Sequence, residues 1–351
     1  MSRPRPIAFK SAALAALLCC LAAGCTRRPP VPDTTVLSGA IMGTTYHVKV
    51  VGELDPAATN SAAAAVDAAL QRVDGLMSTY KPDSEISRLN QHGAGEPFPL
   101  SEETFAVIAL AVEVGAKSGG AFDITVGPLV NAWGFGPEAG RDPPPEEIAR
   151  LRALTGPDKL ALDAEAKTVT KAEAGVYCDL SAIAKGYAVD RAAAALDALG
   201  HANYMVEVGG EVRAAGRNAN GVPWRIAIEK PRDYERAVQE VVALDGVSLA
   251  TSGDYRNFYE SGGRRVSHTI DPKTGQPVNH ALASASVIHE ECALADAYAT
   301  ALMALGPDAG EAFARAHDLA VLFIVHGEGD ELLVRETPAF APYVVARPSA
   351  P

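Results

Sequence analysis

Between residues 44 and 50 apolar and polar positions alternate (TTYHVKV), the two-residue period of a half-buried strand. From 57 to 77 the period becomes helical: the segment is alanine-rich, and Val66, Leu70, Val73 and Leu76 fall on one side. Residues 101–116 predict a second helix, opened by Ser101 with Glu102 and Glu103 in its first turn. A stretch rich in glycine, proline and aromatic residues follows, 119–140, and Pro143-Pro144-Pro145 then starts a short helix at Glu146. Residues 159–162 and 168–171 pattern as a hairpin, and 181–199 as a helix stopped by Gly200. Strands are expected at 204–208, 212–216, 224–229, 238–244 and 247–251; as neighbours in sequence they should pair antiparallel. Residues 284–289 form a strand feeding the helix that carries Asp296, and 319–325 with 331–335 make a last hairpin. Helices and strands mix without a regular βαβ repeat. The expected class is therefore α+β, with mixed, largely antiparallel sheets and packed helices. No internal repeat, GxGxxG or Walker A motif is present, so the common nucleotide-binding folds lose support.

With 351 residues, 48% hydrophobic and 21% charged, the chain can bury a large core in one large domain or two smaller ones, without a metal or disulfide staple. A net charge of −12 argues against a nucleic-acid partner, which demands a basic face, but leaves small nucleotides open.

The N-terminus patterns separately. Arg3, Arg5 and Lys10 precede an apolar run at 11–23 that is too short to span a bilayer in the usual way. It ends in Leu21-Ala22-Ala23-Gly24-Cys25, which resembles a bacterial lipobox with cleavage before Cys25 and lipid attached to it; a plain signal peptide is the alternative. The expected division is a lipoprotein signal peptide at 1–25, a tether at 26–38 and a catalytic domain at 39–345. Thr26, rather than Asp, follows the lipidated residue, so the resemblance to lipoproteins implies a periplasmic protein anchored by acyl chains to the outer membrane rather than the inner. Of the five cysteines, only Cys178 and Cys292 then remain in an oxidising compartment, and buried free thiols are the expected state. No CxxC or Cys/His cluster suggests zinc.

Several positions carry candidate chemistry. In LADAYATAL (294–302) Asp296 and Thr300 stand four apart, so a helix puts both oxygens on one face, where a hard cation such as Mg²⁺ could use them. Alone, the pair favours a threonine bonded to its own helix and a solvated or capping carboxylate over a metal site. Asp179 and Lys185 flank a predicted helix start, which favours anions; alone, Asp179 or Ser181 reads as its cap and Lys185 as a surface charge. Ala121-Phe122-Asp123 follow two glycines, a loop open to close ligand approach or a simple turn over a core Phe122. Met42 and Ile270 read as core, and Tyr80 as a stacking platform for a ring. His268 is a candidate general base, or a structural histidine at a strand end.

Taken in order, Met42-Gly43-Thr44, Met77-Ser78-Thr79-Tyr80, GGAFDITVGPL (119–129), DLSAIAKGYAVD (179–190), ATSGDY (250–255), HTIDPKTG (268–275) and the Asp296–Thr300 helix resemble the ApbE family, the FAD:protein FMN transferases. The resemblance runs from about Gly39 to Val325 and implies a T-fold-like core. It also implies an enzyme that breaks the pyrophosphate of FAD and transfers FMN to a Thr or Ser hydroxyl of a partner protein, with Mg²⁺ required and AMP leaving. The partner it implies is a periplasm-facing subunit of a membrane redox complex. By the same resemblance, the main-chain carbonyl of Ala182 joins Asp296 and Thr300 on the metal, with Asp296 counted among the catalytic residues. Met42, Tyr80, Ala121, Phe122, Asp123, Asp179, Lys185 and Ile270 line the FAD site. An FAD pyrophosphatase and a non-catalytic FAD-binding lipoprotein are the competing readings, the second disfavoured by the intact Asp296/Thr300 pair. Asp245-Gly246-Val247-Ser248-Leu249-Ala250-Thr251 partly resembles the acceptor motif this family modifies, which raises self-modification at Thr251 as a question for the structure.

Overall fold

The computed structural model describes residues 33–137, 142–231, 237–254, 258–261 and 263–347; the leader and Cys25 lie outside them. Eight strands form the central sheet: β1 (Thr34–Ile41), β2 (Thr44–Val51), β3 (Tyr204–Val208), β4 (Glu211–Ala215), β5 (Val247–Gly253), β6 (Leu282–His289), β7 (Ala320–His326) and β8 (Leu332–Glu336). Their spatial order is their chain order and every pairing is antiparallel, as the sequence class requires. The helical segments are excursions between neighbouring strands of this meander. They are α1 (Pro56–Met77), α2 (Glu85–Gln91), α3 (Glu102–Lys117), α4 (Gly127–Ala132), α5 (Pro145–Arg152), α6 (Ala184–Ala198), α7 (Cys292–Leu305) and α8 (Pro307–Ala316).

Both faces of the sheet are covered. On one, Val66, Leu70 and Val73 of α1, Val189 and Leu196 of α6, and Leu302 of α7 share a core with Val48, Val206, Val321 and Phe323. On the other, Val212, Leu249, Leu322 and Ile324 pack with Trp224, Val242, Leu244 and Phe340 beneath a three-stranded sheet of Trp224–Glu229, Val238–Leu244 and Val344–Ala346. Two-sided burial is why β7 reads as an unbroken apolar run, AVLFIV, rather than an alternation. Ala188 and Ala192 of α6 and Ala297 and Ala301 of α7 are all buried in the shared core.

The structure departs from the sequence pattern in a few places. Strand β1 takes in residues 34–38, which the pattern assigned to the tether; only its Cβ alternation, with Val36 exposed and Leu37 buried, marks it as an edge strand. Helices α2 and α8 lie in segments without a long helical period. Trp224–Glu229 and Val238–Leu244 pair with each other, as expected, but leave the main sheet, so β5 pairs with β4. Cys178 and Cys292 are both buried free thiols, and burial pushes the Cys178 thiol up to about 12, too high for a nucleophile.

Candidate active site

Helices α6 and α7 cap each other. Neither flanking residue, Ile183 or Glu291, caps with its own side chain. Instead Asp190 of α6 accepts from the N–H groups of Cys292 (3.0 Å) and Ala293 (2.9 Å), and Asp296 of α7 accepts through Oδ2 from Gly186 N–H (3.0 Å). Each carboxylate thereby meets orphan donors at the positive end of the other helix, an arrangement worth about 1–3 kcal/mol apiece. The exchange needs backbones in contact. A Cβ on Gly186 would lie 2.3 Å from the Cys292 carbonyl oxygen and 2.8 Å from Ala293 Cα, so only glycine fits.

This cap has a chemical by-product. In an ordinary first turn Gly186 N–H would bond the carbonyl four residues earlier, that of Ala182. Here it is turned to Asp296, and no other backbone N–H among the described residues reaches the Ala182 carbonyl. Helix α6 accordingly starts at Ala184, three residues later than its sequence pattern suggests, and Asp179 caps nothing on it: its Oδ1 accepts from Ser181 N–H (2.8 Å) and from the Ser181 hydroxyl.

Around Asp296 the charges are buried. Asp296 is 2% exposed and Glu211 3%. Lys185 Nζ lies 2.7 Å from Glu211 Oε1 and 3.7 Å from Asp296 Oδ1. Burial by itself would lower the lysine pKa, but Asp296 and Glu211 outweigh it and keep the ammonium protonated. Burial is likewise the largest influence on Glu211 and pushes its carboxyl up to about 7, against the pull of Lys185. Glu211 Oε2 is buried and has no hydrogen-bond partner among the described residues. On the next turn of α7, Thr300 Oγ1 lies 3.2 Å from Ser252 Oγ of β5. The neighbouring Thr251 hydroxyl is shared with Ser286 across the β5–β6 ladder (2.8 Å), so the acceptor-like segment is a sheet strand with its hydroxyl engaged, which gives self-modification no support.

A hard cation fits this set. Among the described residues no backbone N–H reaches the Ala182 carbonyl, Asp296 Oδ1 lies 3.7 Å from the Lys185 ammonium, beyond hydrogen-bond range, and Thr300 adds a neutral oxygen. No group of three or more His, Cys, Asp or Glu side chains able to hold a metal occurs among the described residues. One carboxylate with neutral oxygens suits Mg²⁺ completed by phosphates and water, not zinc.

The loop before Asp179 forms the next part. Gly119 and Gly120 take φ of +61° and +84°, which lets the chain turn sharply out of α3 into Ala121 and Phe122, both buried. Asp123 Oδ1 accepts from Thr125 N–H (2.8 Å) and the Thr125 hydroxyl (2.6 Å), and its pKa is raised chiefly by burial. Asp179 N–H donates to the Ile124 carbonyl (2.7 Å), tying this loop to the segment that runs on to Ala182 and Lys185. Beside Asp123 opens a cleft of ≈ 490 Å³ lined by Gly119, Gly120, Thr155 and Lys273, within the size range of organic-ligand sites.

Tyr80 is 65% exposed, and its hydroxyl donates to the Phe135 carbonyl (3.4 Å). The Phe135 ring packs 5.3 Å from Tyr259 and, edge-on, 6.3 Å from half-buried His268. Phe135 thus joins Tyr80 and His268 in one aromatic group. Met42 occupies a two-residue hairpin turn with Gly43, both at positive φ (48° and 72°), and packs on the main core. Ile270 is 6% exposed among Leu129, Trp133 and Ile148, a packing position. Sequence pattern gave no role to Glu211, Asp190, Ser252 or Phe135, although Asp190 and Ser252 lie in the quoted segments 179–190 and 250–255 and Glu211 follows the Gly209-Gly210 turn.

Comparison with known proteins places the chain among named relatives. Residues 42–323 match the model of the ApbE family. The chain is 47% identical over 315 residues, 89% of its length and 92% of the relative, to a Vibrio cholerae protein named FAD:protein FMN transferase. It is 40% identical to the Escherichia coli K12 protein of the same name, covering 92% of this chain and 94% of that one. In three dimensions it matches a structure titled flavin transferase ApbE from Vibrio cholerae with a TM-score of 0.81 at 44% identity, over 89% of this chain and 99% of that one. A Thermotoga maritima ApbE protein matches with a TM-score of 0.80 at 29% identity, over 90% and 100%. A family match that takes in α6, α7 and the sheet between them leaves one assignment: this chain belongs to the ApbE family.

Proposed function

We propose that this protein transfers the FMN moiety of FAD to a Thr or Ser hydroxyl of an acceptor protein, with Mg²⁺ as cofactor and AMP as leaving group. The observation that carries the reading is that Gly186 N–H turns to Asp296 and leaves the Ala182 carbonyl without a backbone donor among the described residues, within a chain whose relatives bear the name FAD:protein FMN transferase. Bound there, Mg²⁺ would neutralise charge on the FAD pyrophosphate. The chain's own residues do the rest. Asp296, held by Gly186, supplies a fixed anionic ligand. Lys185 is a permanent cation beside it and adds to charge neutralisation at the phosphates. Asp123 and Asp179, linked through the Ile124 carbonyl, orient the nucleotide, and Tyr80 offers a ring face to stack on. His268 takes the acceptor hydroxyl proton. The acceptor is proposed to be a periplasm-facing subunit of a membrane redox complex, and this chain to be held at the outer membrane by lipid on Cys25.

The test is a transfer assay with FAD, Mg²⁺ and a protein bearing an Asp-Gly-x-Thr-x-Ala-Thr segment, read by in-gel flavin fluorescence and AMP release. A fluorescent acceptor band that disappears in Asp296→Ala supports the reading. AMP without a labelled acceptor would make the protein an FAD pyrophosphatase, and tight FAD binding with neither signal would make it a carrier.

A further inference from the structure

A lysine beside a metal-ligating carboxylate is a competitor for that carboxylate. Lys185 Nζ sits 3.7 Å from Asp296 Oδ1, close enough for Coulomb attraction in a site where Asp296 is 2% exposed. Left to itself the ammonium would close that gap and occupy the oxygen a cation needs. It is held back by Glu211, whose Oε1 binds it at 2.7 Å. Glu211 follows the Gly209-Gly210 turn at the start of β4, while Lys185 lies in the first turn of α6, so the tether joins the sheet to the helix. The lysine stem runs beside Gly209, where an added Cβ would meet Lys185 Cδ at 3.4 Å. Nothing in the fold requires Glu211 to be charged for its own sake. It is 3% exposed, and its second oxygen is buried without a partner among the described residues, a cost no packing role explains.

We propose that Glu211 is a positioning residue that draws the Lys185 ammonium off Asp296 and so keeps Asp296 Oδ1 open to the divalent cation. The inference rests on the metal reading of Asp296 given above. It assigns Glu211 no contact with metal or FAD.

The experiment measures metal affinity directly, by titrating Mn²⁺ into the purified protein and following the free ion by electron paramagnetic resonance. Thermal melting verifies the fold of each variant. Glu211→Gln is expected to weaken Mn²⁺ binding about tenfold, the low end of what orienting partners contribute in metal sites. The double variant Glu211→Gln, Lys185→Met removes tether and competitor together, and binding should return to within about threefold of the unsubstituted protein. A purely structural role for Glu211 would not be rescued that way, so a double variant as weak as Glu211→Gln overturns the proposal. Unchanged affinity in a folded Glu211→Gln overturns it too. If Glu211→Gln does not fold, the double variant, which carries no buried charge at either position, decides: wild-type-like binding supports the tether and weak binding refutes it. Failure of the underlying reading shows differently, as equal Mn²⁺ binding in Asp296→Ala and the unsubstituted protein.

Discussion

Replacing Gly186 with alanine tests whether the α6–α7 contact builds the site. The added Cβ would lie 2.3 Å from the Cys292 carbonyl oxygen and 2.6 Å from its carbon, both backbone atoms of α7 that cannot rotate away. Restoring an ordinary 3.4 Å contact from 2.3 Å requires the helices to part by about 1.1 Å. Overpacking of this kind costs about 1–3 kcal/mol. Parting also stretches the Gly186 N–H to Asp296 bond, a charge-assisted bond worth about 1.5–3 kcal/mol. Against this, alanine gains about 1 kcal/mol of helix propensity. The net is a destabilisation of about 2–5 kcal/mol, or a fall in Tm of roughly 5–15 °C for a large domain. Function should suffer more, because a 1 Å misplacement can lower a rate about a hundredfold. Calorimetry and the fluorescent transfer assay measure the two effects on one sample. A Gly186→Ala protein with Tm within about 1 °C of the parent and an unchanged transfer rate would refute the claim that this contact positions Asp296.

Further outcomes follow from other parts of the site. Asp190→Ala removes the cap on Cys292 and Ala293 N–H and should cost about 1–2 kcal/mol by denaturant melting, and Asp190→Asn should recover part of it. His268→Ala should retain FAD, by flavin fluorescence titration, and lose FMN transfer by about 10²–10⁴-fold; an unchanged transfer rate removes His268 from the chemistry. Asp123 has a folded-state pKa raised above 3.8, chiefly by burial, so its stabilising contribution is fully present below that value and is lost as pH rises through the raised one. Asp123→Asn keeps an oxygen for Thr125 but cannot ionise, so its Tm should fall less than the parent's across the carboxylate range, and parallel Tm profiles would contradict the burial argument.

Much of this was legible along the chain. Helices α1, α3 and α7 carry an uninterrupted helical period with a buried stripe, and β2, β3 and β7 carry strand patterns, because burial of one or both faces depends on side-chain periodicity that sequence preserves. Edge strand β1 and the short α2 were not legible, because each buries too few side chains for a strong period. The spacing of Asp296 and Thr300 on one helical face likewise follows from 3.6 residues per turn and needs no structure. What no local pattern contains is the crossing of α6 over α7. The crossing turns Gly186 N–H to Asp296, strips the Ala182 carbonyl of its donor, and lets Asp190 return the favour at Cys292. It also sets Lys185 between Glu211 and Asp296, which lie 26 and 111 positions further along the chain. Hydrogen bonds and ion pairs act over about 3–4 Å in space whatever the separation in sequence, so these partners were decided only when the sheet brought the two helix ends together.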